Sequence, residues 1–270
     1  MGQMFAVTGK APVDIREELE SLVRNSFIHK HGWGYADFSG GKTFIKREVL
    51  PAYESTIAQK LLAAPFQVQN AFFHLRYATI GAVEPENVHP FAQLDIAGRT
   101  WAVIHNGTLF RADKIDPYFH KQAGSTDTER LLLYLVDRVN KLTKDRGRPL
   151  AEKERFDLVE KIITELAKDG NKLNIIFHDG EIFYLHANAR TGSRVLGTAA
   201  SKDALYEKEK GGARFFATFP LSAGDWRPVQ QNTLFSYRNG ALLRKGAPHP
   251  YEYFESDDDI QNLYRGFSAL

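Results

Sequence analysis

Three short polar groups sit where apolar runs begin or end. His74 and Arg76 alternate within residues 71–79 (AFFHLRYAT). His105-Asn106-Gly107 closes residues 100–105 (TWAVIH), and Ser125-Thr126-Asp127 opens a helical pattern. Taken singly, each has a plain structural explanation. Arg76 reads as an ion pair at a core edge, Asn106-Gly107 as a hairpin turn, and Asp127 as part of a helix start. Some chemistry is excluded outright. There are no cysteines, which removes disulfides, thiolate metal sites and a cysteine nucleophile from this chain. No GxxxxGK[ST] loop occurs, and Gly40-Gly41-Lys42 is too short to cradle a phosphate.

The elements that must carry these groups are legible as patterns. Residues 3–8 (QMFAVT) form a short apolar run with a turn signal at Gly9, which predicts a buried strand. Ile15, Leu19, Leu22 and Val23 fall at helical spacing, and Pro12 suits a first turn, so a helix is expected over 12–27. Residues 32–38 and 43–47 predict a strand pair joined by Ser39-Gly40-Gly41, and 71–79 and 100–105 two further strands.

Two helices are expected next, over 126–142 and 152–167, with an exposed loop over 144–153 between them. Thr126 or Ser125 would cap the first, with Glu129 placed as in a capping box. Strands follow at 173–177, 182–186, 194–199, 214–218, 233–237 and 241–244, with Asp179-Gly180 and Asn239-Gly240 as hairpin turns. Strands, two long helices, then strands again indicate a layered α+β protein.

The chain has 270 residues, 43% hydrophobic and 25% charged, enough to bury a sizeable core. No composition break forces a division, so one domain is expected over 1–270. The net charge of +2 and the scattered basic residues argue against nucleic acid as a partner. No apolar stretch approaches the ~20 residues of a membrane span. The first residues carry no signal-peptide pattern, so a cytoplasmic protein is expected. A Met-Gly start fits myristoylation only with Ser or Thr at position 6, which is Ala6 here.

Read together, the polar groups resemble the glutaminase domain of class II (N-terminal-nucleophile) glutamine amidotransferases, the small stand-alone members above all. The resemblance runs through His31-Gly32-Trp33-Gly34, then His74-Leu75-Arg76-Tyr77-Ala78-Thr79, then Asn87-Val88-His89-Pro90-Phe91. It continues through His105-Asn106-Gly107-Thr108 and Ser125-Thr126-Asp127-Thr128-Glu129, with Ala217-Thr218-Phe219-Pro220-Leu221 and Trp226 further on. Each motif is weak alone; their common order is specific.

The resemblance implies an Ntn-hydrolase-like, four-layer αββα sandwich of two stacked antiparallel sheets with helices on both outer faces. It implies cleavage of the side-chain amide of glutamine, or of a related γ-glutamyl amide, without metal or organic cofactor. Asn106 and the Gly107 N–H would hold the oxyanion. Arg76 would grip the substrate carboxylate in a fork, Asp127 its ammonium, and Thr79 would add a contact. Trp33 and Gly34 would help wall the pocket, while His89 and His105 read as structural. Ammonia would pass to a separate synthetase subunit, or the protein would act alone as an amide hydrolase.

One position departs from the family. Its members begin Met-Cys and expose the cysteine as nucleophile; this chain begins Met1-Gly2-Gln3-Met4, with no Ser or Thr at positions 1–4. The favoured explanation is an engineered or cloning-derived change from cysteine to glycine. The alternatives are a natural pseudoenzyme that binds a glutamine-like ligand or a synthetase partner, and a shared fold with another role.

Overall fold

The first apolar run becomes a strand buried on both sides. Met4 and Ala6 belong to one hydrophobic cluster, Phe5 and Val7 to another. Successive side chains of a strand face opposite ways, so such a strand must lie between two covered layers. The computed structural model describes residues 2–78, 81–188, 190, 205–256, 258–259 and 261.

In chain order the elements are β1 (Gln3–Asp14), α1 (Arg16–Asn25), β2 (Trp33–Asp37), β3 (Phe44–Glu48), α2 (Thr56–Leu62) and β4 (Gln67–Leu75). Then come β5 (Phe91–Leu94), β6 (Thr100–His105), α3 (Asp127–Arg146), α4 (Glu152–Lys168), β7 (Ile175–His178) and β8 (Phe183–His186). Last are β9 (Tyr206–Lys210), β10 (Ala213–Ala217), β11 (Arg227–Pro228), β12 (Phe235–Arg238) and β13 (Ala241–Lys245).

The strands form two antiparallel sheets. One is seven-stranded, ordered β11-β9-β10-β1-β4-β2-β3; the other is six-stranded, ordered β13-β12-β8-β7-β6-β5. Three hydrophobic clusters mark the three interfaces between layers. Leu19 and Leu22 of α1 pack with Phe5, Trp33, Phe73 and Phe215 on one outer face. Met4, Phe72, Ile104, Ile176 and Phe216 fill the space between the sheets. Leu132 and Leu135 of α3 and Ile162 and Ile163 of α4 cover Trp101, Val103, Phe177 and Tyr184 on the other outer face. This is the expected αββα sandwich.

Several boundaries differ from the sequence reading. β1 continues past Gly9 to Asp14, after a register irregularity between Thr8 and Val13, so Pro12 lies in a strand and not in the helix. Proline is tolerated there because an irregular ladder needs no donor from it. The helix starts only at Arg16, whose N–H donates to the Asp14 carboxylate at 3.0 Å. β4 ends at Leu75, four residues short of expectation. α3 runs on to Arg146, leaving a shorter loop before α4.

Thr126 does cap α3, accepting the Glu129 N–H. The Glu129 carboxylate does not complete the capping box; it accepts from the N–H groups of Ala123 and Gly124, at 2.8 and 2.9 Å. Both hairpins form as read, β7–β8 and β12–β13. The strand expected over 194–199 lies outside the described residues. α2, β5 and the charged strand β9 were not anticipated. Among the described residues no helix is long and apolar enough to cross a membrane.

Candidate functional site

The antiparallel register between β1 and β4 pairs Gln3 with Leu75 and Met4 with His74. The start of β1 therefore lies against the end of β4, and Gly2 lies against His74 and Leu75. At the same end of the sandwich β6 runs out at His105, and α3 begins at Asp127. These four element ends enclose a cleft lined by Gly2, His74, Arg76, Asn106, Gly107 and Asp127, with His89, His105, Tyr77, Ala78, Thr126 and Thr128 around them. Its free volume is about 40 Å³, little more than one water molecule takes up in the liquid.

Arg76 follows β4 rather than lying in it. Its backbone N–H donates to the Gly32 carbonyl at 2.8 Å, and its carbonyl accepts from the His31 N–H at 3.1 Å. The buried guanidinium donates through Nη2 to the Gly81 carbonyl at 2.9 Å. Burial lowers its pKa to about 10, and Glu84 acts in the opposite direction. An anion brought into the cleft would favour the charged form.

Asn106 and Gly107 are not a hairpin turn. β6 pairs with β5 and β7, and the Asn106 N–H continues the ladder to the Asn174 carbonyl at 2.8 Å. The side-chain carbonyl of Asn106 is buried and has no hydrogen-bond partner among the described residues. Gly107 is required by close approach: a Cβ there would lie 2.1 Å from the Lys172 carbonyl oxygen and 2.4 Å from His105 Nε2. Only a residue with no side chain brings its backbone this close.

Asp127 is the first residue of α3, where the helix N-terminus favours negative charge. Its Oδ2 accepts the Leu109 N–H at 2.7 Å and its Oδ1 the Thr128 N–H at 2.7 Å. Asp127 as a whole residue is 5% exposed, and two backbone amides fix the position of its carboxylate.

The three lining histidines are neutral. Burial lowers His74 to about 3, with the hydrogen bond to the His105 carbonyl opposing and Arg76 adding to the fall. Burial also pushes His89 well below its ordinary value, with His74, His105 and Arg76 adding to it. Burial lowers His105, with Asp127 opposing. Among the described lining residues, Arg76 and Asp127 carry the formal charges, one of each sign. Such a site suits a small zwitterion.

Of the six residues to which the resemblance gives a catalytic or substrate-contacting place, five meet in this cleft: Gly2, Arg76, Asn106, Gly107 and Asp127. Thr79 lies outside the described residues. Trp33 and Gly34 do not wall the cleft. Trp33 packs in the layer under α1 and donates to Glu48 at 3.0 Å. Gly34 acts at a distance, since a Cβ there would stand 2.4 Å from the His89 carbonyl oxygen. His89 and His105, read as structural, both line the cleft. His74 and Thr128 were missed as lining residues; their place one or two residues from Arg76 and Asp127 was the available signal.

At residue 2 the space for a side chain is closed. A Cβ on Gly2 would lie 2.3 Å from the Leu75 carbonyl oxygen and 3.0 Å from His74 Cε1 and Nε2. Any side chain there requires the backbone at residue 2 to turn away from β4.

Comparison with known proteins matches the family described as glutamine amidotransferases class-II over residues 1–258. A Haemophilus influenzae protein, a glutamine amidotransferase by assignment, is 27% identical over 267 residues, covering 93% of this chain and 89% of the relative. Among solved structures, glutamine phosphoribosylpyrophosphate amidotransferase from B. subtilis superposes with a TM-score of 0.64 at 16% identity. That match takes in 93% of this chain, which spans about half the length of the B. subtilis chain (50%). A Pseudomonas aeruginosa protein, described by prediction as a glutamine amidotransferase, superposes with a TM-score of 0.58 at 17% identity, covering 90% of this chain and 99% of that one. At these identities the structural matches speak for the fold, and the family match over nearly the whole chain speaks for descent: the protein belongs to the class II glutamine amidotransferases.

Proposed function

We propose that this chain, acting as one domain, binds glutamine or a γ-glutamyl amide in the cleft at the start of β1. Arg76 takes the substrate carboxylate through two parallel N–H donors, and Asp127 takes the ammonium. The Asn106 side chain and the Gly107 N–H face the carbonyl oxygen as it gains charge. What supports this reading is one buried cation and one buried anion among otherwise neutral lining groups, converging from residues 51 positions apart in sequence (76 and 127). A glutamine-sized ligand enters only as the cleft widens.

With glycine at position 2 the chain has no thiolate to attack the amide. The protein therefore holds its substrate better than it cleaves it. Calorimetric titration with glutamine tests the binding half: uptake that Arg76→Ala and Asp127→Ala both abolish is expected, and no uptake by the unaltered chain overturns the reading. Gly2→Cys with Met1 removed tests the catalytic half by release of ammonia. If that variant releases none, the engineered-change explanation fails.

The natural pseudoenzyme is the second reading, and a specific observation favours it. The slot beside Gly2 is occupied by the Leu75 carbonyl and the His74 ring, so the backbone has settled where a cysteine side chain does not fit. Glutamine binding that persists while Gly2→Cys stays inactive would select this reading. In either case an ammonia-accepting synthetase subunit remains a candidate partner.

A further inference from the structure

We infer that His105 is a positioning residue that braces Asn106-Gly107 against Asp127, and that the direction of the Thr128 hydroxyl decides how much of that carboxylate is open to a ligand's ammonium. The inference deepens the glutamine-site reading and rests on it.

The hydrogen bonds fix the arrangement. His105 Nε2 lies 2.8 Å from the Lys172 carbonyl oxygen. A carbonyl only accepts, so Nε2 carries the proton. The ring is neutral, which leaves Nδ1 as a bare acceptor, and Thr128 Oγ1 stands 3.0 Å from it. The Thr128 hydroxyl therefore donates to His105. Its other possible acceptor, Asp127 Oδ1, is 3.3 Å away. A hydroxyl has one proton and cannot serve both.

The same ring touches every part of the site. Its Nε2 would lie 2.4 Å from a Cβ on Gly107. Its backbone carbonyl accepts from His74 Nε2 at 3.2 Å, next to Gly2. A continuous line of contacts thus runs from residue 2 through His74, His105 and Thr128 to Asp127. The titratable groups facing His105 are His74 from β4, His89 ahead of β5, Lys172 ahead of β7 and Asp127 on α3. Asp127 favours a proton on the ring, as does the hydrogen bond to the Lys172 carbonyl, while the Lys172 ammonium opposes it.

Protonation would reverse the relay. Nδ1–H would then donate to Thr128 Oγ1, and the hydroxyl proton would turn to Asp127 Oδ1. That oxygen would accept the Thr128 hydroxyl as well as the Thr128 N–H, beside a new positive charge. A ligand ammonium would meet a carboxylate already partly satisfied. Binding should weaken in acid through His105 itself.

The test is calorimetric titration of the full chain with glutamine at about pH 7.5 and again at the lowest pH at which the chain stays folded, because burial moves His105 below the ordinary histidine range. The unaltered protein should lose affinity about three- to ten-fold at the lower pH, the size of one hydrogen bond's contribution. His105→Gln keeps a donor for the Lys172 carbonyl and cannot be protonated. Without the Nδ1 acceptor the Thr128 hydroxyl turns to Asp127, so the affinity of this variant at the higher pH should be lowered and should then show no further fall in acid. His105→Leu should bind weakly at both. A fall that persists undiminished in His105→Gln overturns the inference, as does full affinity in His105→Leu.

If the unaltered chain takes up no glutamine, the site reading fails and the brace is read directly by nitrogen NMR of the ring. A protonated Nε2 with a bare Nδ1, shifted by Thr128→Val, supports it; a protonated Nδ1 at neutral pH overturns it. The same measurement decides if His105→Leu does not fold.

Discussion

The carbonyl oxygen of Lys172 stands 2.1 Å from where a Cβ on Gly107 would be. The loop ahead of β7 therefore closes on Gly107 as tightly as a backbone can, and the same carbonyl accepts from His105. Gly107→Ala must push two backbone segments apart. Overpacking of this kind costs about 1–3 kcal/mol. Urea unfolding should show that loss, and glutamine binding should fall with it because the Gly107 N–H is moved.

Asp127→Asn removes a charge and half of an acceptor pair. The carboxylate now accepts the buried N–H groups of both Leu109 and Thr128. Asparagine offers one oxygen, so one amide is left opposite an NH₂ group. Stability should drop by about 1–3 kcal/mol, the cost of an unsatisfied buried donor. Glutamine affinity should drop beyond what the stability loss explains, which calorimetry on the folded variant would show.

Arg76→Lys keeps the positive charge and loses the planar fork. Lysine cannot hold the Gly81 carbonyl and a carboxylate with the same geometry. We expect glutamine affinity to fall at least about ten-fold, or about 1.4 kcal/mol, with little change in melting temperature. Unchanged affinity would argue that Arg76 does not contact the ligand.

Stability should fall in acid because buried imidazoles resist protonation. His74, His178 and His186 are each lowered to about 3, in every case chiefly by burial. Their unfolded value is about 6.5. A group whose folded pKa is depressed contributes stability that is complete above the unfolded value and is lost as pH falls toward the folded one. The melting temperature should therefore decline from about pH 6.5 downward. His178, whose ring stacks on Phe38 at 3.8 Å between centroids, provides a check. In His178→Phe the slope of stability against pH should drop by about one proton's worth.

Asp179 provides a control far from the cleft. Its Oδ2 accepts from Arg155 Nε at 2.6 Å and from the Tyr184 hydroxyl at 2.7 Å, with both charged side chains almost fully buried. Asp179→Ala leaves Arg155 Nε and the Tyr184 hydroxyl without their buried acceptor, although Glu181 still holds Nη2 at 2.9 Å. A loss of about 3–5 kcal/mol is expected, the cost of breaking a buried pair. Glutamine affinity at a temperature where the variant is folded should not change.

Much of the layering was legible because strands and helices declare themselves by period. The alternation Met4, Phe5, Ala6, Val7 is apolar throughout, which predicts a strand covered on both faces, and the clusters divide it that way. Asp179-Gly180 and Asn239-Gly240 named their hairpins through turn chemistry alone. Pro12 misled, since helix and irregular strand both tolerate proline near an end. β9 (YEKEK) was invisible because its charged residues carry no apolar period; β10 and β11 on either side hold it in the sheet.

The site divides along the same line. Sequence alone determined which residue types were present: an arginine after an aromatic run, Asn-Gly after another, an aspartate at a helix start, and glycine with no cysteine at position 2. Tertiary structure decided that they meet. The register Gln3↔Leu75 puts Gly2 on His74, and the two sheets bring the ends of β4 and β6 to one side. It also decided two things no spacing could reveal. The side-chain slot at Gly2 is closed by a backbone carbonyl, and the Thr128 hydroxyl joins His105 to Asp127. Periodicity is a property of neighbours along the chain, whereas these contacts depend on pairing register across tens of residues, which only the folded packing fixes.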